Sequence, residues 1–296
     1  MGLFNKTRKR RRTAHLAVSQ QIGNRIPFGL GMRLLYERWR YGHQAAFMRH
    51  EPGPPLFYKP AKPGDVEGFD IHPVGRGIDG VVPLGYQGYV WLPNPAWKWV
   101  EPTHEGALKF DPSDQETELM AIPVKWSEIA TANGKRMDRK SRWHEICGPF
   151  TDHGEKALSP SQNWTWAPQE QNIEQSAVVV LEDLLSRWTS HGDRCLCGKW
   201  EGGSDWDSKV LLSFPNWTYY IWSCRYDDVI TWLKQPDSYE RSSDMPHVIW
   251  PEDRSWFLAI LYSGISSYVA GPRDLIDSIV ASDLEAYEVE PSDQAH

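Results

Sequence analysis

Residues 247–264, "HVIWPEDRSWFLAILYSG", carry the reading of the whole chain. From Trp256 to Tyr262 every side chain is apolar or aromatic. Side chains of a strand alternate between the two sheet faces, so a run apolar at every position is a central strand covered on both sides. Pro251-Glu-Asp-Arg254 then reads as the loop entering that strand. Asp253 and Arg254 are placed to pair or cap there, with Trp250 as their shield. A carboxylate beside a guanidinium stays ionised, which makes it a poor general acid or base. The charged knot is expected to be a structural corner at the rim of a binding face.

Working outward, Asn172 to Trp188 has the clearest helical period. Ile173, Ala177, Val180, Leu181, Leu184, Leu185 and Trp188 form one apolar stripe, and Asn172 with Gln175 makes a capping-box start. Strands follow at 195–200, 208–214 and 217–222, then a short helix at about 226–233. A polar loop, "KQPDSYERSSDMP", leads to strands at 255–262 and 265–269. Gly271-Pro272 opens another helix, with Pro at a tolerated first-turn position, and "LEAYEV" closes the set as a strand. Hairpin pairs of strands separated by single helices point to an α+β fold: a mostly antiparallel sheet with helices on one face.

The N-terminal half is more irregular. Residues 1–14 form a basic arm, and 15–65 hold a helical segment and a proline-rich linker. Residues 66–150 make an aromatic-rich β domain of short runs ("GYQGYVWL", "GALKF", "ELMAIPV"), with a helix from Trp126 that stops at Asn133-Gly134. Polar, aperiodic 151–172 reads as a linker to the C-terminal sandwich domain, 173–290.

Charge is uneven. Residues 1–40 hold ten Lys or Arg and one acid, whereas the remainder holds 22 against 38. Arg8, Lys9, Arg10, Arg11 and Arg12 are consecutive cations. Such an arm seeks anions: nucleic acid bound weakly and without sequence preference, lipid headgroups, or the chain's own acidic segment from Asp274 to Asp293. No apolar run approaches the 18 or so residues of a membrane span, so a cytoplasmic protein is the expectation. Sixteen tryptophans are an unusual load. They are expected to pack irregular β-rich structure, the alternative being an aromatic binding surface.

Cys195 and Cys197, two apart in a strand, share a face. With Cys224 and His191 they would make at most an incomplete zinc set, because structural zinc sites usually show two Cys pairs at wider spacing. Small buried hydrophobes are the better reading, and no metal or cofactor is expected. "GRGIDG" at 75–80 matches a dinucleotide fingerprint, but Pro83 follows where a helix must open, so it reads as a Gly-rich hairpin. "HEICG" at 144–148 lacks the second His of a zinc protease. "WEGGSDWDS", 200–208, sets Trp200, Glu201, Asp205, Trp206 and Asp207 between two strands. Its acids point either to a solvated turn or to a divalent-metal hydrolase or nuclease site.

The spaced pattern "CLCGKWEGG", "NWTYYIWS", "IWPEDRSWFLAI" and "SYVAGPRDLIDSIVASDLEAYEV" resembles a family of uncharacterised actinobacterial proteins. In that family the central strand continues into an acidic stretch, where this chain has "LYSG". The resemblance implies a fold and no chemistry. The expected function is a non-catalytic protein-interaction module of the immunity or antitoxin kind. Its acidic body and exposed aromatics would suit a basic protein partner.

Overall fold

The structure is a computed structural model. It describes residues 58–100, 108–110, 119–149, 151–153, 156–158, 163–170, 173–203, 208–234, 245–262 and 264–295. The basic arm Arg8–Arg12, the helical segment expected around Met32 to Met48, and Asn172 lie outside them.

In chain order the strands and helices begin with β1 (Lys59–Pro60), β2 (Gly88–Pro93), β3 (Ala96–Trp99), β4 (Leu108–Phe110), β5 (Leu119–Val124), α1 (Trp126–Ala132) and α2 (Trp143–Ile146). There follow β6 (Thr151–His153), β7 (Lys156–Leu158), α3 (Gln175–Leu185), β8 (Arg194–Trp200), β9 (Leu211–Ser213), β10 (Thr218–Arg225) and α4 (Tyr226–Leu233). The chain ends with β11 (Val248–Pro251), β12 (Phe257–Ile260), β13 (Ser266–Gly271), α5 (Arg273–Val280) and β14 (Tyr287–Val289).

Among the described residues nine strands make one sheet in the order β1-β10-β8-β11-β12-β13-β2-β14, with β9 also on β10, and every pairing in it is antiparallel. The fold is α+β. The strand expected from the apolar run at 256–262 is β12, inside the sheet and buried throughout. Its alternation feeds two cores. Leu258 and Ile260 face Val178, Leu181 and Leu185 of α3, Val229 and Ile230 of α4, and Ile276 and Ile279 of α5. Phe257 and Ala259 face the opposite core, which Ile78, Val81, Val82 and Trp126 cover. Helices therefore pack one face, and the irregular 61–86 segment with α1 packs the other.

The expected division at 151–172 does not separate two cores. β2, all six residues buried, lies between β13 and β14, pairing Val90 with Val269 and with Glu288. Residues from both sides of the expected linker thus complete one sheet. Outside it are a three-stranded sheet, β3-β5-β4, and the β6-β7 hairpin.

Two local readings change. The 75–80 glycines do not form a hairpin: Ile78–Gly80 is a 3-10 turn, and the C-terminal tail lies against it. Ile78 and Asp79 N–H donate to the carbonyls of Asp293 and Pro291, each at 2.9 Å. A side chain at Gly77 would strike the Asp293 carbonyl, so glycine is needed for close backbone approach. Helix α3 is capped by Glu174, whose carboxylate accepts from Ala177 N–H at 3.1 Å. A carboxylate is well placed there because it meets unsatisfied N–H groups at the positive end of the helix.

The acidic C-terminal segment is largely engaged within the fold. Arg273 binds Asp277 (2.7 Å) and Glu288 (2.6 Å), and Arg139 lies 3.5 Å from Asp293 and 3.7 Å from Glu290. Glu285 accepts from Trp126 and Ser127 N–H at 2.6 and 2.7 Å, capping α1.

Half of the tryptophans among the described residues are buried. Trp91, Trp126, Trp164, Trp250 and Trp256 are fully buried. Trp91, Trp126, Trp164 and Trp256 place their indole N–H on Ser266 Oγ, the Asn94 carbonyl, the Cys147 carbonyl and Thr189 Oγ1.

Candidate functional site

The residues singled out in the sequence fall at two ends of β11. Asp253 and Arg254 follow that strand, whereas Trp200 and Glu201 lie beside its start, where His247 precedes Val248. Trp250 sits between, buried and stacked on Phe257 with ring centroids 5.5 Å apart.

The Asp253 end is structural. Pro251-Glu-Asp-Arg254 is the turn joining β11 to β12, closed by Arg254 N–H donating to the Pro251 carbonyl at 2.9 Å. The expected Asp253–Arg254 partnership is replaced by separate contacts. Asp253 Oδ1 accepts from Ser255 N–H at 3.0 Å, while the Arg254 guanidinium lies 4.4 Å from the Phe69 ring centre. Arg254 has φ of 59°, a left-handed conformation that costs an L-residue about 1–2 kcal/mol. Its cation–π contact and a 3.3 Å bond to the Asp65 carbonyl hold it there. Trp250 packs on Phe69, so it shields the apolar base of this corner.

The other end gathers side chains from four sequence positions. Trp200 ends β8; Trp217 lies in the β9–β10 turn; Tyr262 follows β12; His247 precedes β11. Trp200 and Tyr262 ring centroids are 4.2 Å apart, and Trp217 lies 5.6 Å from Trp200 and 6.3 Å from Tyr262. His247 meets the Tyr262 ring edge-on at 5.3 Å. Trp200, Trp217 and Tyr262 are each half-buried, and Glu201 is exposed beside them. The cluster is thus a packed aromatic knob with its outer surface open to solvent.

His247 braces it from below. Its Nδ1 accepts from Trp200 N–H at 2.9 Å, so in the neutral ring the proton sits on Nε2. Burial, with the neighbouring Lys199 charge second, pushes its pKa down to about 3. The ring therefore stays neutral near pH 7 and holds the Trp200 backbone as a fixed acceptor. Gly202 lies against the Trp200 indole so closely that a side chain there would overlap it.

Asp205, Trp206 and Asp207 lie outside the described residues, so the site shows Glu201 alone of the three loop acids. Cys195, Cys197 and Cys224 are all buried in the helix-side core as free thiols, and His191 is exposed. Among the described residues no group of three His, Cys, Asp or Glu is arranged to hold a metal ion.

Trp217, Tyr262, His247 and Lys199 were not singled out in the sequence. Their convergence depends on register: Trp200 pairs with Tyr219, and Val248 with Gly198. A trace was present in aromatic residues directly flanking the apolar runs, at Asn216-Trp217-Thr218 and Leu261-Tyr262. Among the described residues no helix is long and apolar enough to cross a membrane. No protein-family model, curated protein or solved structure matches this chain.

Proposed function

We propose that this chain is a non-catalytic protein-interaction module of the immunity or antitoxin kind, and that it contacts a basic protein through the Trp200–Trp217–Tyr262 knob. The observation that carries the reading is the knob itself. Three half-buried aromatic rings stand on the ends of paired strands, with a buried neutral histidine fixing the backbone of one. Large aromatic side chains held rigid bury much area on association at little entropic cost, and they dominate binding energy at protein interfaces. Glu201 beside the knob, and an overall charge of −7, favour a cationic partner.

The reading is tested by placing a photoreactive amino acid at exposed Asn216, next to Trp217, and, as a control, at exposed Val74. Irradiation in cells of the native source is expected to give one defined protein adduct at 216 that is missing at 74. Identical adducts at both positions, or none at 216, would exclude the knob as the contact surface.

A further inference from the structure

The Sγ atoms of Cys197 on β8 and Cys224 on β10 lie 2.9 Å apart in the helix-side core. That is closer than non-bonded sulfurs pack, and about 0.9 Å more than the ~2.0 Å of a disulfide. The two strands are direct neighbours, with Cys197 opposite Trp222 and Cys224 opposite Cys195. Three thiols thus project from one face of one strand pair, and the closest contact joins the diagonal pair. Cys224 Sγ also lies 3.8 Å from the Cys195 carbonyl, which holds it in the middle of the group. Cys147 belongs to a separate apolar cluster with Trp164 and Ile129.

We infer that Cys197 and Cys224 are a disulfide-forming pair, closed by exchange with a small-molecule disulfide such as oxidised glutathione. One thiol, as thiolate, attacks the glutathione disulfide, forming a mixed disulfide and releasing one glutathione. The second thiol, losing its proton, attacks the protein sulfur of the mixed disulfide and releases the other glutathione. Two protein thiols are oxidised, one glutathione disulfide is reduced to two thiols, and the protein loses two hydrogens. Burial raises both thiol pKa values, with desolvation the leading cause, so exchange in the folded protein is slow. The bond is therefore expected to form as the sheet closes. It would tie the strand that carries Trp200 to the strand that starts beside Trp217.

The test is to unfold the full chain in urea and refold it in a glutathione redox buffer. Remaining thiols are then alkylated and the unreduced peptides mapped. The expected result is one Cys197–Cys224 peptide link, a mass lower by two hydrogens, and two alkylated thiols, at Cys147 and Cys195. The melting temperature should rise by several degrees and fall back on reduction. The link should persist in Cys195→Ala and vanish in Cys224→Ala. Four alkylated thiols after oxidative refolding, or a link running from Cys195 to Cys224, would overturn the inference. Both are read on the unsubstituted protein, so neither depends on a variant folding.

Discussion

Arg194, at the start of β8, grips Asp65 at two points, Nη1 to Oδ1 at 2.9 Å and Nη2 to Oδ2 at 2.5 Å. The pair fastens the segment that covers one sheet face to the sheet itself. The hydrogen bond from Arg194 is the main reason the Asp65 carboxyl sits below its usual pKa. Arg194→Met is expected to lower stability by about 1–3 kcal/mol, because it strips a charge-assisted two-point bond from a carboxylate largely shielded from water. Glu252→Gln should change stability by less than about 0.5 kcal/mol, since Glu252 is mostly solvated. Urea midpoints measure both. A folded-state pKa that is depressed contributes stability above the unfolded value, near 3.9, and the contribution disappears as pH falls through the folded one.

A fragment of residues 173–290 is expected not to unfold cooperatively. It lacks β2, so β13 is left with an open edge and β14 loses its strand partner. It also lacks Ile78, Val81, Val82 and Trp126, which cover one face. Urea unfolding followed by tryptophan fluorescence should be broad for this fragment and sharp for residues 53–296.

Acid should destabilise the protein through His247 well before Asp65 titrates. Its folded pKa, pushed down to about 3, lies below the unfolded value near 6.5. Between those limits the unfolded chain binds the extra proton, so stability falls as pH drops, by on the order of 3–5 kcal/mol across the window. In His247→Asn the amide oxygen can accept from Trp200 N–H but does not titrate. Melting temperatures from pH 7 to 4 should therefore fall less steeply in the variant than in the parent.

Much of the sheet was legible because one local rule sufficed. Trp256 to Tyr262 is apolar at every position, and a strand with two buried faces must be internal. Helix α4 was equally plain from Val229, Ile230 and Leu233 in one turn and a half. β11 was missed because four residues ending in Pro251, next to a polar loop, carry too little period to separate strand from loop. The role of β2 was hidden for another reason. Its partners Val269 and Glu288 lie far along the chain, and periodicity shows that a strand exists without showing its neighbour. The knob followed the same pattern: Trp200 stood out in its own loop, but only register brings Trp217 and Tyr262 to it.

The basic arm should retain DNA weakly at low salt and release most of it near physiological salt, as counterions displace its phosphate contacts. Deleting residues 1–14 should abolish retention in a filter-binding assay. Truncating the acidic tail is expected to lower stability rather than strengthen DNA binding. Asp293 and Glu290 hold Arg139, and the carbonyls of Asp293 and Pro291 take the N–H groups of the Ile78 turn.

The most direct test of the interaction reading is the affinity of the partner crosslinked at position 216 for Trp217→Ala against the parent protein. Trp217 is half-buried in a turn between strands, so its removal should leave the melting temperature within a few degrees. Removing a central aromatic anchor from an interface commonly costs more than about 1.4 kcal/mol, a tenfold rise in Kd. Calorimetry is expected to show a rise of at least that size with the fold intact. An unchanged Kd in a well-folded Trp217→Ala protein would contradict the proposal that the knob is where this chain binds.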